Sequence, residues 1–207
     1  MEFLTDPMGI ERKSMEIISK YLKEKAFTPE ETKIVSRIIH AAGDPDYANH
    51  IVIHPEFIAS ARKALLAGKG VITDVRMVET GINKKRLADF GGITLCAIDD
   101  AEVAETAKRE GITRSMAAMR KLAPNIKDAI VAIGNAPTAL YEVLRLAQEG
   151  NRPAAIVGVP VGFVGAAESK EELLLADIPF LTVRGNKGGS TIACSAINAL
   201  LYLEDVR

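Results

Sequence analysis

The stretch AIVAIGNAPTAL, residues 129–140, joins a continuous apolar run to a Gly134-Asn135 turn and then to a segment that opens with Pro137. A short run rich in Val and Ile that ends at glycine is typical of a strand buried on both faces. Proline is well tolerated at the first position of a helix, because the N–H that it lacks has no intrahelical partner there. The stretch therefore predicts a strand, a tight turn and a helix in succession.

The same alternation extends along the chain in both directions from this unit. Apolar runs of strand length alternate with longer stretches of helical pattern, and two helices precede the first strand. The predicted strands are 51–54, 70–74, 93–98, 129–135, 154–160 and 179–185. The predicted helices are 8–25, 29–42, 55–67, 99–109, 113–122, 137–149, 168–175 and 189–203.

Apolar strands that alternate with helices indicate a parallel sheet covered on both faces. The sequence thus predicts an α/β fold, a single doubly wound domain over residues 1–207 with a mainly parallel sheet of five or six strands. Residues 1–45 are expected to form an N-terminal helical hairpin packed on the sheet domain. In such folds ligands bind outside the carboxyl ends of the strands, near a switch in strand order.

Charge and apolar patterning limit the classes of partner. The 26 basic and 27 acidic residues give a net charge of −1, so bulk electrostatics favour neither nucleic acid nor an anionic membrane. The N-terminus lacks a signal-peptide pattern, and no apolar run approaches the roughly 20 residues of a membrane span. Cys96 and Cys194 lie in separate apolar runs, as expected for reduced core cysteines. We expect a cytoplasmic protein without nucleic-acid or membrane partners.

Polar and glycine residues follow several of the predicted strands. The turn at 134–136 offers backbone N–H groups for an anion or a carbonyl, or is simply a tight strand-to-helix turn. The glycines of VGVPVGFVGAAESKEEL (157–173) either admit a large flat ligand or allow close packing of a loop, and Glu168 or Ser169 is expected to cap the following helix. These patterns leave both interpretations open.

The last strand is followed by the basic segment RGNKGGST, residues 184–191. It lacks the spacing of a phosphate loop, because Lys187 precedes the glycine pair and no Gly-Lys-Ser/Thr follows. A loop that binds carboxylates fits these residues at least as well as a nucleotide site. Arg114 stands in the first turn of a predicted helix, where a cation opposes the helix dipole, so it is either a solvent-exposed residue or one used for binding.

The histidines give no metal site. His50 and His54 flank a predicted strand and would lie roughly 13 Å apart, too far to share one ion. His40 ends a predicted helix in SRIIHAAGDPD, and the local pattern fits a helix-end histidine as well as a catalytic one.

Seven segments, in order along nearly the whole chain, closely resemble the precorrin-8X methylmutases, also called cobalt-precorrin-8 methylmutases, of corrinoid biosynthesis. They are RKSMEII, RIIHAAGDPD, DVRMVETGI, TRSMAAM, AIVAIGNAPTAL, VGVPVGFVGAAESKEEL and RGNKGGSTIA. The resemblance implies a homodimeric isomerase without a cofactor, whose tetrapyrrole sites lie near the subunit interface. It implies migration of a methyl group from C-11 to C-12 of precorrin-8 or its cobalt form, giving hydrogenobyrinate or cobyrinate.

The resemblance also implies roles for individual residues. His40 is expected to act as proton donor and acceptor, and histidine is the side chain best suited to lend a proton near neutral pH. The residues expected to bind the polycarboxylate substrate are Arg12, Ser14, Thr80, Arg114, Gly134, Asn135, Gly162, Gly165, Arg184 and Lys187. Two other functions remain open: a corrinoid carrier without activity and, with much weaker support, a nucleotide-dependent enzyme.

Overall fold

The computed structural model describes residues 5–203, and within this range the chain forms six strands and twelve helices. The strands are β1 (Ile51–Ile53), β2 (Val71–Thr73), β3 (Thr94–Leu95), β4 (Ile130–Ile133), β5 (Ala155–Gly158) and β6 (Phe180–Val183). The helices are α1 (Pro7–Leu22), α2 (Pro29–Ala42), α3 (Tyr47–His50), α4 (Phe57–Leu66), α5 (Arg76–Gly81), α6 (Lys84–Asp89), α7 (Ala101–Glu110), α8 (Arg114–Lys121), α9 (Ala123–Ile126), α10 (Pro137–Gln148), α11 (Ala166–Leu175) and α12 (Ser190–Leu201).

The strands form one sheet in the order β1-β6-β5-β4-β2-β3. All neighbouring pairs are parallel except β1 and β6, which are antiparallel at one edge. Strand order reverses between β2 and β4, because the chain leaves β2 for β3 on one side and returns to β4 on the other. The predicted α/β fold with a mainly parallel sheet is confirmed.

Helices cover both faces of the sheet, as the apolar strands require. In β4, Ile130 and Ala132 belong to one buried cluster, while Val131 and Ile133 belong to the other. This alternation follows from the two-residue period of a strand, which sends successive side chains to opposite faces. The first cluster packs beneath α2, α4 and α12, and the second beneath α8 and α10.

Helix α2 is defined at both ends by its sequence. The Thr28 side chain accepts from the N–H of Glu31, and the Glu31 carboxylate accepts from the N–H of Thr28, which forms a capping box. The helix ends at Gly43, whose left-handed backbone lets its N–H donate to the Ile39 carbonyl. The buried face of α2 packs against α12, and α1 packs against α2. The two N-terminal helices therefore lie on the same side of the sheet as α12.

The start of α11 differs from the prediction. The helix begins at Ala166 with Gly165 at the cap position, so neither Glu168 nor Ser169 caps it. Instead, Ser169 is buried and its hydroxyl donates to the Ala166 carbonyl. Within residues 5–203 no helix combines the length and the apolar character that a membrane span needs.

Candidate active site

His40 lies in the last turn of α2, with an exposed side chain that faces a cavity of about 930 Å³. The cavity is bounded by α1 and α2 on one side and by α12 on the other, with Asn83 between α5 and α6 at its edge. Of the residues that the sequence singles out, His40 is the one that lines this cavity within the described range. The full lining is Met15, Ser19, Thr32, Lys33, Ser36, Arg37, His40, Ala41, Asn83, Ser195, Asn198, Ala199, Tyr202 and Leu203.

The described lining of the cavity holds no acidic residue, whereas Lys33, Arg37 and His40 all lie on it. Arg37 also pairs with Glu11 of α1 at 2.7 Å. A cavity with this charge suits an anionic ligand.

Sequence reasoning missed the other α2 residues on this wall, although a signal for them exists. Lys33, Ser36, Arg37 and His40 follow the three- and four-residue spacing that places side chains on one face of a helix. Ser36 and Arg37 precede His40 by one helical turn, and Lys33 precedes it by two. The contributions of Ser195 and Asn198 from α12 require the tertiary structure.

Arg12 and Arg114 differ from the remaining arginines. Within residues 5–203 they alone among the arginine side chains have neither an ion pair nor a hydrogen bond, and both are exposed. Arg12 lies on α1 and Arg114 on α8, whose N-terminal cap Thr113 shares a hydrogen bond with Thr138 of α10. Their guanidinium groups are therefore available to a ligand.

The turn at 134–136 does not offer a free anion site, which corrects one interpretation of the sequence. The buried carboxylate of Asp74, at the end of β2, accepts from the N–H groups of Gly134, Asn135 and Ala136 at 2.8–3.0 Å. Burial raises the pKa of Asp74, although these three donors favour its charged form. The protein's own carboxylate thus occupies the crevice at the β2–β4 switch, and the tight-turn interpretation is the one that holds.

Gly134 is buried where β4 meets α12 and α5. A Cβ atom there would lie 2.8 Å from both the Cα of Ser190 and the Cγ2 of Val78. The glycine therefore allows close packing, rather than the approach to the ring that the sequence predicts. The neighbouring Asn135 has an exposed side chain.

The loop 184–189, between β6 and α12, places Lys187 between two carboxylates. Its Nζ lies 2.6 Å from Asp44 Oδ2 and 2.8 Å from Asp46 Oδ2, in the turn that follows α2. The hydrogen bonds to Lys187 lower the pKa of both aspartates, and the same contacts raise the pKa of Lys187. The charge of Lys187 is thus neutralised by two carboxylates of the protein, whereas the sequence predicts that Lys187 binds a carboxylate of the substrate. Arg184 is exposed, with Glu171 at 3.9 Å.

A sequence model described as precorrin-8X methylmutase matches residues 9–203. The chain belongs to the precorrin-8X methylmutase family. It is 46% identical over 200 residues to the cobalt-precorrin-8 methylmutase of Priestia megaterium, a match that covers 96% of this chain and 89% of that protein. It is 39% identical over 202 residues to the precorrin-8X methylmutase of a Sinorhizobium species, with 96% of each chain covered.

A solved structure agrees with this assignment. The crystal structure of the precorrin-8x methyl mutase from Thermus thermophilus superposes with a TM-score of 0.86 at 33% identity, covering 95% of this chain and 98% of that one. The resemblance predicted from the seven motifs is confirmed. The protein is a methylmutase of cobalamin biosynthesis, and hence an isomerase.

The predicted substrate residues of this methylmutase do not converge on one place within a single chain. Arg12 and Ser14 are on α1, where the Ser14 hydroxyl donates to the Ile10 carbonyl, and Thr80 is exposed on α5. Gly162 and Gly165 are half-buried in the loop 159–165 after β5. Within residues 5–203 no three His, Cys, Asp or Glu side chains lie close enough to hold a metal ion.

Proposed function

We propose that this methylmutase moves a methyl group from C-11 to C-12 of a precorrin-8 macrocycle, with His40 as proton donor and acceptor. The observation that carries the proposal is the position of His40, exposed in a cavity of about 930 Å³ whose described lining has no acidic residue. Protonation of the conjugated ring draws electron density away from the methyl-bearing carbon and eases the migration. The imidazole then recovers its proton, so the reaction consumes no donor.

The substrate carries several carboxylates, and this chain has guanidinium groups to bind them. Arg12 and Arg114 lack partners within the described residues, so binding a carboxylate costs them no existing ion pair. Arginine binds a carboxylate through two parallel hydrogen bonds, which fixes orientation as well as charge. We assign these two arginines to the substrate carboxylates, together with Arg37 and Lys33 on the cavity wall.

The site is proposed to be completed in a homodimer. Ile10, Ile17 and Tyr21 are exposed apolar residues at helical spacing on α1, and Ser14 lies between them on the same face. A second copy of the chain covering this face would bring Ser14 of one subunit, and with it the segment of α1 that also carries Arg12, close to the cavity of the other. This arrangement accounts for the absence of both residues from the cavity of their own chain.

Replacement of His40 by alanine tests the proton transfer. We expect His40→Ala to reduce turnover by about 10²–10⁴-fold, the usual value of general acid–base catalysis. Binding of the corrinoid product, measured by absorption titration, should change little because the carboxylate-binding groups remain. The matched control is His54→Ala, since His54 packs on Phe180 beyond β1, away from the cavity. Full turnover by His40→Ala would contradict the proposed role.

The same assay separates an enzyme from a corrinoid carrier. The wild-type protein is incubated with an excess of metal-free precorrin-8 and, in parallel, of the cobalt form. A catalyst converts the whole chromophore, whereas a carrier stops at one equivalent of bound ligand per site. Conversion of only one of the two forms identifies the natural substrate.

A further inference from the structure

Lys170 is a buried cation without a counter-ion. Its side chain is fully buried in α11, and within residues 5–203 no carboxylate lies within ion-pair distance of it. Its Nζ donates to the Lys187 carbonyl at 2.7 Å, which is its one hydrogen bond in this range. Burial of the ammonium lowers the pKa of Lys170 to about 8. An uncompensated charge in the interior is costly, and a methionine of similar shape would fill the space without that cost.

The other buried charged groups of the described chain are all compensated. Glu142 binds Arg120 and Arg145, Glu79 binds Arg76 and Lys84, and Asp74 accepts three backbone N–H groups. Lys170 is the exception among them, so its charge is not explained by the packing of the core.

Lys170 connects two loops through its ammonium group. The hydrogen bond to the Lys187 carbonyl joins α11, which follows the loop 159–165, to the loop 184–189. The two loops also contact each other directly. Gly189 N–H donates to the Val159 carbonyl at 2.9 Å, and Gly162 N–H donates to the Asn186 carbonyl at 3.3 Å. A Cβ atom at Gly188 would lie only 2.2 Å from the Val159 oxygen, so the loops could not pack this closely with any other residue there.

The loop 184–189 leads directly into α12, which forms one wall of the His40 cavity. The Lys187 side chain pairs with Asp44 and Asp46 just beyond α2, while its carbonyl receives the Lys170 ammonium. This one loop residue is therefore held from the His40 side and from the α11 side. A hydrogen bond from a charged donor is roughly twice as strong as one between neutral groups.

We propose that Lys170 is a positioning residue of the methylmutase, whose ammonium fixes the loop 184–189 and the start of α12 in the arrangement that binds the anionic substrate. The inference rests on the proposed function, since it concerns the same substrate. The charge of Lys187 is neutralised by two aspartates, so Lys170 supplies the uncompensated positive charge behind this loop.

The test compares Lys170→Met with the wild type and with Lys127→Met, which makes the same change at an exposed lysine before β4. Hydrogen exchange of the Gly189 amide reports on the loop without any substrate. We expect the exchange rate of this amide to rise about tenfold in Lys170→Met and to stay unchanged in Lys127→Met, because only the first variant loses a charge-assisted hydrogen bond. For the same reason, KM of Lys170→Met should rise about tenfold, while its kcat changes less than threefold. The thermal midpoint should stay the same or rise, since a buried charge is removed.

A merely structural lysine gives the opposite pattern. In that case Lys170→Met melts at a lower temperature, and its kcat falls together with the rise in KM. If the wild type is active and the Gly189 amide of Lys170→Met exchanges at the wild-type rate, this inference alone is overturned. If the wild type has no turnover, the proposed function is overturned. Lys170→Arg, which keeps the charge, should recover KM at least in part.

Discussion

Arg12 and Arg114 stand apart at the scale of single residues, because every other arginine within residues 5–203 already has a partner in the protein. An exposed ion pair contributes little to stability, and a guanidinium without one contributes less still. Arg114 also lies in the first turn of α8, where the helix dipole disfavours a cation. Folding therefore gives no reason for an arginine at this position, and its guanidinium is available for the proposed binding of substrate.

Arg114→Gln should weaken binding of the substrate without affecting the fold. We expect KM to rise about tenfold or more, because hydrogen bonds between charged groups contribute roughly 1.5–3 kcal/mol. The thermal midpoint should be unchanged or slightly higher, since no partner is lost and the conflict with the helix dipole is removed. Steady-state kinetics and a melting curve measure the two effects.

The matched control for Arg114→Gln is Arg152→Gln. Arg152 is an exposed arginine just before the amino end of β5, and its guanidinium lies 3.4 Å from Asp177. The same chemical change there should leave KM as it is. Equal KM values for wild type and Arg114→Gln would remove Arg114 from the substrate site.

The sequence predicts some features of these residues and misses others for a physical reason. Arg12, Arg114 and His40 are singled out by the motifs, and the structure shows that all three side chains are exposed. Their roles in binding and catalysis stay predictions. The two ion pairs of Lys187 are not predicted, because its partners, Asp44 and Asp46, lie more than 140 residues earlier in the chain. Partners so far apart in sequence are found only once the chain has folded.

At the scale of elements, the C-terminal end of α2 determines where His40 points. Gly43 closes the helix with φ of 64°, and a Cβ atom there would meet nothing within 4 Å. Gly111 closes α7 in the same way, with the same φ and the same open surroundings. The two glycines therefore form a matched pair, in which a substitution strains the backbone without a steric clash.

Gly43→Ala and Gly111→Ala should each lower the free energy of unfolding by about 1–2 kcal/mol, the cost of a left-handed conformation for a residue with a Cβ atom. Only Gly43→Ala should reduce turnover, by roughly tenfold or more, because misplacement of a catalytic group by about 1 Å is costly. Denaturant titration and kcat measure the two effects. Equal loss of turnover in both variants would mean that stability alone is responsible.

Long elements are predictable from sequence, and short ones are not. The eight helices of eight residues or more are all predicted, because they contain two or more turns of the apolar pattern. The sequence does not predict α3, α5, α6 and α9, which have four to six residues each. The antiparallel direction of β1 is also absent from the prediction, since an apolar strand has the same pattern in either direction.

At the scale of the whole molecule, the cavity of one chain is lined by only some of the proposed substrate-binding groups. The cavity contains His40, Lys33 and Arg37, whereas Arg12 lies outside its lining on the same helix that exposes Ile10, Ile17 and Tyr21. Closed two-fold dimers are the commonest assemblies of soluble proteins, and in them one patch meets its own copy. We propose that a dimer through α1 brings this helix, with its Arg12, close to the other subunit's cavity.

Complementation between two inactive variants tests whether each site draws on both chains. Arg12→Ala and His40→Ala are co-expressed with different affinity tags, and the mixed dimer is isolated through both tags. One of its two sites then combines an intact His40 with an intact Arg12 from the partner subunit, so we expect about half of the wild-type turnover per dimer. At a substrate concentration well below KM, each variant alone should turn over much more slowly than the mixed dimer. If instead each site lay within one chain, the mixed dimer would have no intact site and would be no more active than either variant. A molar mass of a monomer in light scattering would exclude the shared site altogether.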